Sequence, residues 1–131
     1  MILDVIVEDK KKRLPEHKKN ISEIKMRELA EKYEGKKHGF YQALSKSGIS
    51  IIGEFKNASP SLGKIESRIT LEERMEDYTA SVDAVSCLTE EKHFLGNTDY
   101  FRKVRNLTPL PMLRKDFMIE EYQFYEAKAI D

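Results

Sequence analysis

The sequence holds almost no sulfur chemistry. Cys87 is its one cysteine in 131 residues. A single cysteine forms no internal disulfide, which fits a reducing compartment. Its apolar surroundings, VDAVSCLTE, make it a small buried side chain and not a nucleophile. Net charge is missing as well: the formal balance is zero although 35% of the residues are charged. Nothing in that balance draws the chain toward nucleic acid. Basic residues do cluster at Lys10-Lys11-Lys12-Arg13 and at Lys18-Lys19, but the first cluster follows Glu8-Asp9 inside a helical pattern and reads as a solvated helix face. No apolar run reaches the roughly 18 residues that a membrane span needs. The opening MILDVIVEDKKKR runs from apolar to charged, the reverse of a signal peptide. These absences lead us to expect a soluble, cytoplasmic chain, long enough for one domain with a real core.

Residues 2 to about 46 read as helices. Ile2, Leu3, Ile6 and Leu14 recur at near-helical spacing with charges between them. Pro15 lacks an amide donor and is expected to end or kink this first helix. Ser22 is placed to cap a second helix whose apolar positions are Ile24, Met26, Leu29, Ala30 and Tyr33. Residues 35–39 read as a loop. Residues 40–46 read as a short helical turn whose aromatic side chains cover something apolar, and Gly48 marks the break before the first strand. The period then changes repeatedly. Residues 49–56, 82–90 and 110–117 are strand-like. Residues 70–80, 97–107 and 120–130 are helical, with Leu71, Met75 and Tyr78 on one stripe and Tyr100, Phe101, Val104 and Leu107 on another. Strand starts about 30 residues apart match a βαβ unit, so the alternation predicts a parallel sheet with right-handed crossovers.

The stretch ISIIGEFKNASPSLG, residues 49–63, is chemically unusual. Alternation puts Glu54 and Lys56 on one face with Ile52, and Ile51, Gly53 and Phe55 on the other. A strand buried on both faces that ends in a carboxylate and an ammonium needs those charges paired or used. Strand C-termini are where parallel α/β folds bind ligands. A surface Glu/Lys pair on an edge strand is the competing explanation. The third strand repeats the oddity, with Leu113, Lys115 and Phe117 on one face, and the second ends in Thr89-Glu90-Glu91-Lys92-His93-Phe94. Three strands ending in polar chemistry favour a shared rim site. His93 in that loop reads as exposed and not catalytic.

In order along the chain, IIGEFKNASPSLG, VSCLTEEKHFLG and PMLRKDFMIEEYQFYEA strongly resemble the first three βα units of the indole-3-glycerol-phosphate synthase family. The family pattern reads like E-x-K-x-x-S-P-S, then S-x-L-T-E-x-x-x-F, then L-x-K-D-F with a following E-x-Q. The helical segment from ILDVIVEDKKKRL through FYQALSK also looks like the family's N-terminal extension. The resemblance implies an α/β fold that is a partial (β/α)8 TIM barrel. Residues 1–48 would be a helical N-terminal extension, and residues 49–131 the first three βα units of a truncated barrel. The implied activity belongs to tryptophan biosynthesis: ring closure of 1-(2-carboxyphenylamino)-1-deoxyribulose 5-phosphate, with decarboxylation and dehydration, to indole-3-glycerol phosphate. The resemblance implies no metal and no organic cofactor.

By matching positions, Lys115 would be the general acid that protonates the substrate carbonyl oxygen. Lys56 would contact the substrate carboxylate and assist proton transfer, the division between the two lysines being left open by the motif. Glu54 would tune and orient these ammoniums. Ser59 would help to bind the substrate, while Phe94 and Phe117 would line the anthranilate pocket. A lysine desolvated at a barrel mouth suits acid catalysis, a carboxylate between two lysines would hold their geometry, and aromatic walls would orient the ring.

The pattern also departs from the family. A complete barrel takes about 250 residues, and the later strands carry a second catalytic glutamate, an asparagine, a serine and most phosphate-binding amides. The 131-residue chain is therefore expected to be inactive alone. Ser81-Val82-Asp83 stands where the family usually has a glycine leading into the second strand, which would alter that turn. Three strands cannot close a barrel, and an open edge invites pairing. The alternative is a non-catalytic half-barrel module that self-associates, a homo-oligomer covering the edge.

Overall fold

A computed structural model describes residues 1–131. Six helices and five strands form two compact units, one from residues 1–36 with 117–131 and the other from residues 37–116.

The first unit is helical: α1 (Ile2–Asn20), α2 (Glu23–Lys32) and α6 (Glu121–Ala129). Of the two outcomes expected of Pro15, an end or a kink, the helix shows no end: α1 runs five residues past it to Asn20. The missing amide removes one ladder bond and crowds the preceding turn, at roughly 3 kcal/mol. Burial of the neighbouring Leu14, worth about 1.5–3 kcal/mol, offsets much of this. Leu14 packs with Met26 and Tyr122, flanked by Ile21, Ile119 and Tyr125. Ile6 and Leu14 hold the buried stripe of α1, whereas Ile2 and Leu3 are exposed. Ser22 caps α2 as its sequence predicts, its Oγ accepting from the Lys25 amide at 3.2 Å. Tyr122 is buried, and its hydroxyl donates to the Ile21 carbonyl at 2.8 Å, closing α6 onto the α1–α2 turn.

The second unit carries the sheet. After α3 (Phe40–Leu44), β1 (Ile52–Phe55) leads into a small antiparallel hairpin, β2 (Ala58–Ser59) with β3 (Gly63–Lys64). Then come α4 (Leu71–Ser81), β4 (Ala84–Leu88), α5 (Thr98–Leu107) and β5 (Met112–Lys115). The strands β1, β4 and β5 form one parallel sheet in the order β1-β4-β5. The expected α/β alternation is therefore present, with shorter strands than the apolar runs predict. The two aromatic residues of α3 divide: Phe40 is half-buried, whereas Tyr41 is 79% exposed and covers nothing.

The two faces of the sheet differ. Gly53 and Phe55 of β1 are buried, while Ile52 and Glu54 are exposed, so β1 buries one face and not two. α5 packs against β4, α4 meets β1 where Tyr78 approaches Gly53, and Met75, Phe101 and Val104 of these helices are buried. Gly53 lets the helix sit close, because a Cβ would lie 3.0 Å from the Tyr78 ring, whose hydroxyl donates to the Glu54 carbonyl at 2.9 Å. Register pairs Glu54 with Ser86, Ser86 with Leu113, and Leu88 with Lys115, which places all five on the other face. That face is open at its flanks, with Ile52 43% and Leu113 39% exposed. The central strand β4 is buried throughout.

Candidate active site

The C-terminal ends of the strands gather the charged residues that the sequence singles out. Glu54 is the penultimate residue of β1 and Lys56 directly follows the strand. The Lys56 ammonium lies 3.8 Å from Glu54 Oε1, both side chains more than one-third exposed. Such a solvated pair adds at most ~1 kcal/mol, so its importance is geometric. The second carboxylate oxygen is held from the neighbouring strand, where Ser86 Oγ donates to Glu54 Oε2 at 3.2 Å.

Lys115 ends β5 on the same face, level with Leu88 and one register step beyond the Glu54–Ser86–Leu113 row. Two strand spacings separate it from β1, about 10 Å. Its side chain is exposed and makes no hydrogen bond or ion pair. Glu54 thus pairs with one lysine and not with two. Lys115 is also solvated rather than desolvated, because the face it stands on is open. What fixes Lys115 is its backbone: its carbonyl accepts from the Thr89 amide at 2.9 Å.

The remaining predicted positions divide. Ser59 is buried in β2, where its Oγ accepts from the Leu62 amide at 3.2 Å and lies 3.4 Å from Ser61 Oγ. The S-P-S turn is thereby closed on itself. Phe94 lies half-buried in the loop after β4. Phe117 follows the end of β5 and belongs to the helical unit, where its carbonyl accepts from Gln123 Nε2 at 2.9 Å. His93 is half-buried, not exposed, and its amide is engaged in the same loop as Phe94.

Residues to which the sequence assigns no individual role shape this rim. Glu90 is fully buried, and its carboxylate accepts from the amides of Lys92, His93 and Phe94 at 3.1, 2.6 and 3.0 Å. Asn57 Nδ2 donates to the Leu95 carbonyl at 3.1 Å, tying the loop after β1 to the loop after β4. Gly96 closes that loop where a Cβ would fall 2.1 Å from the Leu88 carbonyl oxygen. Thr89, named in the sequence only as part of a polar strand end, is buried beside Arg114 and Asp116. The available signal was the T-E pair itself, polar residues at the end of an otherwise apolar strand.

Cys87 belongs to the buried face. Burial pushes its thiol up to about 12, so it stays protonated and unreactive, as expected of a packing residue. Asp83 replaces the expected glycine turn before β4. It accepts from the Ile51 amide at 2.8 Å and ion-pairs with Lys46, which together hold its carboxyl below the ordinary range.

The sequence profile of the indole-3-glycerol phosphate synthase family matches residues 3–131. The chain belongs to that family. Its similarity to individual members is substantial. It is 60% identical over 130 residues to the indole-3-glycerol phosphate synthase of Lachnospira eligens, covering 99% of this chain and 48% of that protein. It is 45% identical over 131 residues to the enzyme of the same name from Clostridium acetobutylicum, and 44% identical over 132 residues to that from a Thermoanaerobacter species, covering 99% of this chain and 50% of each relative. The chain spans about half the length of the curated relatives it matches. Its three parallel strands and their helices are accordingly a partial (β/α)8 barrel, the first three βα units of the indole-3-glycerol phosphate synthase fold.

Proposed function

We propose that this chain is the acid-bearing half of an indole-3-glycerol phosphate synthase. It supplies the ring-closing lysine of a site that the rest of a barrel completes, in the cytoplasm, and is inactive alone. The observation that carries this reading is the placement of Glu54, Lys56 and Lys115 at the C-terminal ends of parallel strands, with Glu54 and Lys115 on one open sheet face. Ligands of such barrels bind at that rim.

In the reaction, a carbon–carbon bond forms from the aromatic ring carbon bearing the carboxylate to the substrate's carbonyl carbon. The carbonyl oxygen gains a proton as its π bond breaks, and Lys115 is the donor. Lys56 meets the substrate carboxylate before carbon dioxide leaves, and Glu54 holds Lys56 in place from 3.8 Å. Ser59 contributes a hydroxyl once its turn opens to substrate. Phe94 and Phe117 are assigned to the aromatic ring on the family resemblance.

The test is turnover of the chain mixed with a separately expressed C-terminal half of the Lachnospira eligens relative. Lys115→Ala in that mixture lowers kcat by roughly 10²- to 10⁴-fold with little change in KM. An unchanged kcat removes Lys115 from the role of acid. The chain without its complement shows no turnover.

A second reading is favoured by the exposed Ile52 and Leu113: a non-catalytic half-barrel that self-associates through its open sheet, with Glu54 and Lys115 offering opposite charges to a second copy. Light scattering that gives a defined dimer, together with no turnover in the mixture, supports this reading over the first.

A further inference from the structure

Lys115 stands between two charged neighbours that point the other way. Arg114 and Asp116 lie on the buried side of β5, their side chains 7% and 0% exposed, with Arg114 Nη2 3.5 Å from Asp116 Oδ2. One residue of the adjacent strand end reaches all three. The Thr89 amide donates to the Lys115 carbonyl at 2.9 Å. Its hydroxyl donates to Asp116 Oδ2 at 2.7 Å and accepts from Arg114 Nε at 3.0 Å. The donor count closes: one hydroxyl proton goes to the carboxylate, and a lone pair takes the guanidinium N–H. Thr89 is itself buried.

We propose that Thr89 is the positioning residue of Lys115. By holding the residues on either side of it, Thr89 fixes the twist of β5 at its last residue and aims the Lys115 side chain out over the open face. The need for such a device comes from the surroundings of Lys115, whose ammonium has no partner to orient it. An acid on a long flexible stem gains rate from a fixed root, since a displacement of about 1 Å costs as much as 10²-fold. A buried hydroxyl linking a carboxylate and a guanidinium is well suited to this, because loss of either contact exposes a buried charge to imperfect pairing.

The inference rests on Lys115 being the acid, and the experiment separates the two ideas. Thr89→Val keeps the shape and removes the hydroxyl. Thr89→Ser keeps the hydroxyl and removes a methyl. Amide hydrogen exchange is measured by NMR on the 131-residue chain with no complement present. Thr89→Val is expected to speed exchange about tenfold at Arg114, Lys115 and Asp116 relative to the helical amides of α5, in line with the net worth of a charge-assisted hydrogen bond, and Thr89→Ser to restore it. Uniform acceleration across the chain, no acceleration, or failure of Thr89→Ser to restore protection each overturns the proposal. In the mixture with the Lachnospira eligens half, Thr89→Val lowers kcat about 10- to 100-fold with KM within about twofold, and Thr89→Ser recovers it. Equal losses in both variants, or a change in KM alone, also overturn it. If Lys115→Ala leaves kcat intact, the acid assignment falls, and the exchange result still decides whether Thr89 grips β5.

Discussion

Ser86 and Glu54 sit side by side across the β4–β1 boundary, and the Ser86 hydroxyl holds one carboxylate oxygen at 3.2 Å while the other faces Lys56 at 3.8 Å. A carboxylate gripped on one oxygen keeps a constant orientation toward its lysine. Ser86 is buried in the middle of the sheet, so its removal affects both packing and orientation. Ser86→Ala is expected to lower unfolding free energy by about 1 kcal/mol in urea titration, with an unchanged denaturant slope. A loss above ~3 kcal/mol, or none, contradicts this account.

Asp83 makes stability depend on acid. Its carboxyl is held low first by the hydrogen bond from Lys46 and then by the Ile51 amide. A carboxyl lowered in the folded state stabilises above the ordinary carboxylate value of about 4, and that contribution disappears as pH falls through the lowered native value. Urea midpoints should therefore fall below about pH 4, and Asp83→Asn should flatten that part of the profile. An identical acid limb in the variant would place the dependence on another carboxylate.

Cys87 acts at the other end of the scale. Its thiol ionises near 12 in the folded chain, against about 8.5 in an unfolded one. Stability from this group is complete below about pH 8.5 and is lost progressively as pH rises toward the folded value. A thiol reagent such as a disulfide dye should not label the native chain on mixing, and its rate should track opening of the sheet as urea is added. Rapid labelling in native buffer would contradict the burial of Cys87.

Gly53 leaves the space that Tyr78 fills. Gly53→Ala places a methyl carbon about 3.0 Å from the ring, and overpacking of this kind costs about 1–3 kcal/mol. Chemical denaturation gives the loss directly. The double variant with Tyr78→Leu should recover part of it, since a flexible side chain yields where a ring does not. Additive losses would show that the ring is not what the methyl meets.

Much of this was legible in the residues because the signals were local. Ser22, the alternation of periods and the polar strand ends each act within a few positions. What sequence could not read were competitions for backbone groups. β1 begins at Ile52 and not at Ile49, because the Ile51 amide is taken by the Asp83 carboxylate and Ser50 Oγ is turned back to the Ala43 carbonyl. β5 is short at its start because Pro111 offers no amide and the Leu110 carbonyl is taken by Arg105. Arg105 is buried, whereas Leu107, expected in the apolar stripe, is exposed. A helix-end cation that serves two loop carbonyls breaks a pattern built on hydrophobicity alone. Pro15 went the other way: its neighbour Leu14 is buried well enough to carry the helix through.

The turn gathered around Glu90 bears on where an anion comes to rest. Successive backbone amides bent into a concavity attract phosphate and carboxylate groups. Here the amides of Lys92, His93 and Phe94 already converge on a carboxylate from their own chain. The concavity is filled from within, and an anion arriving at this rim finds its place taken. The loop after β4 therefore commits these three amides to its own shape, and not to an anion from solution.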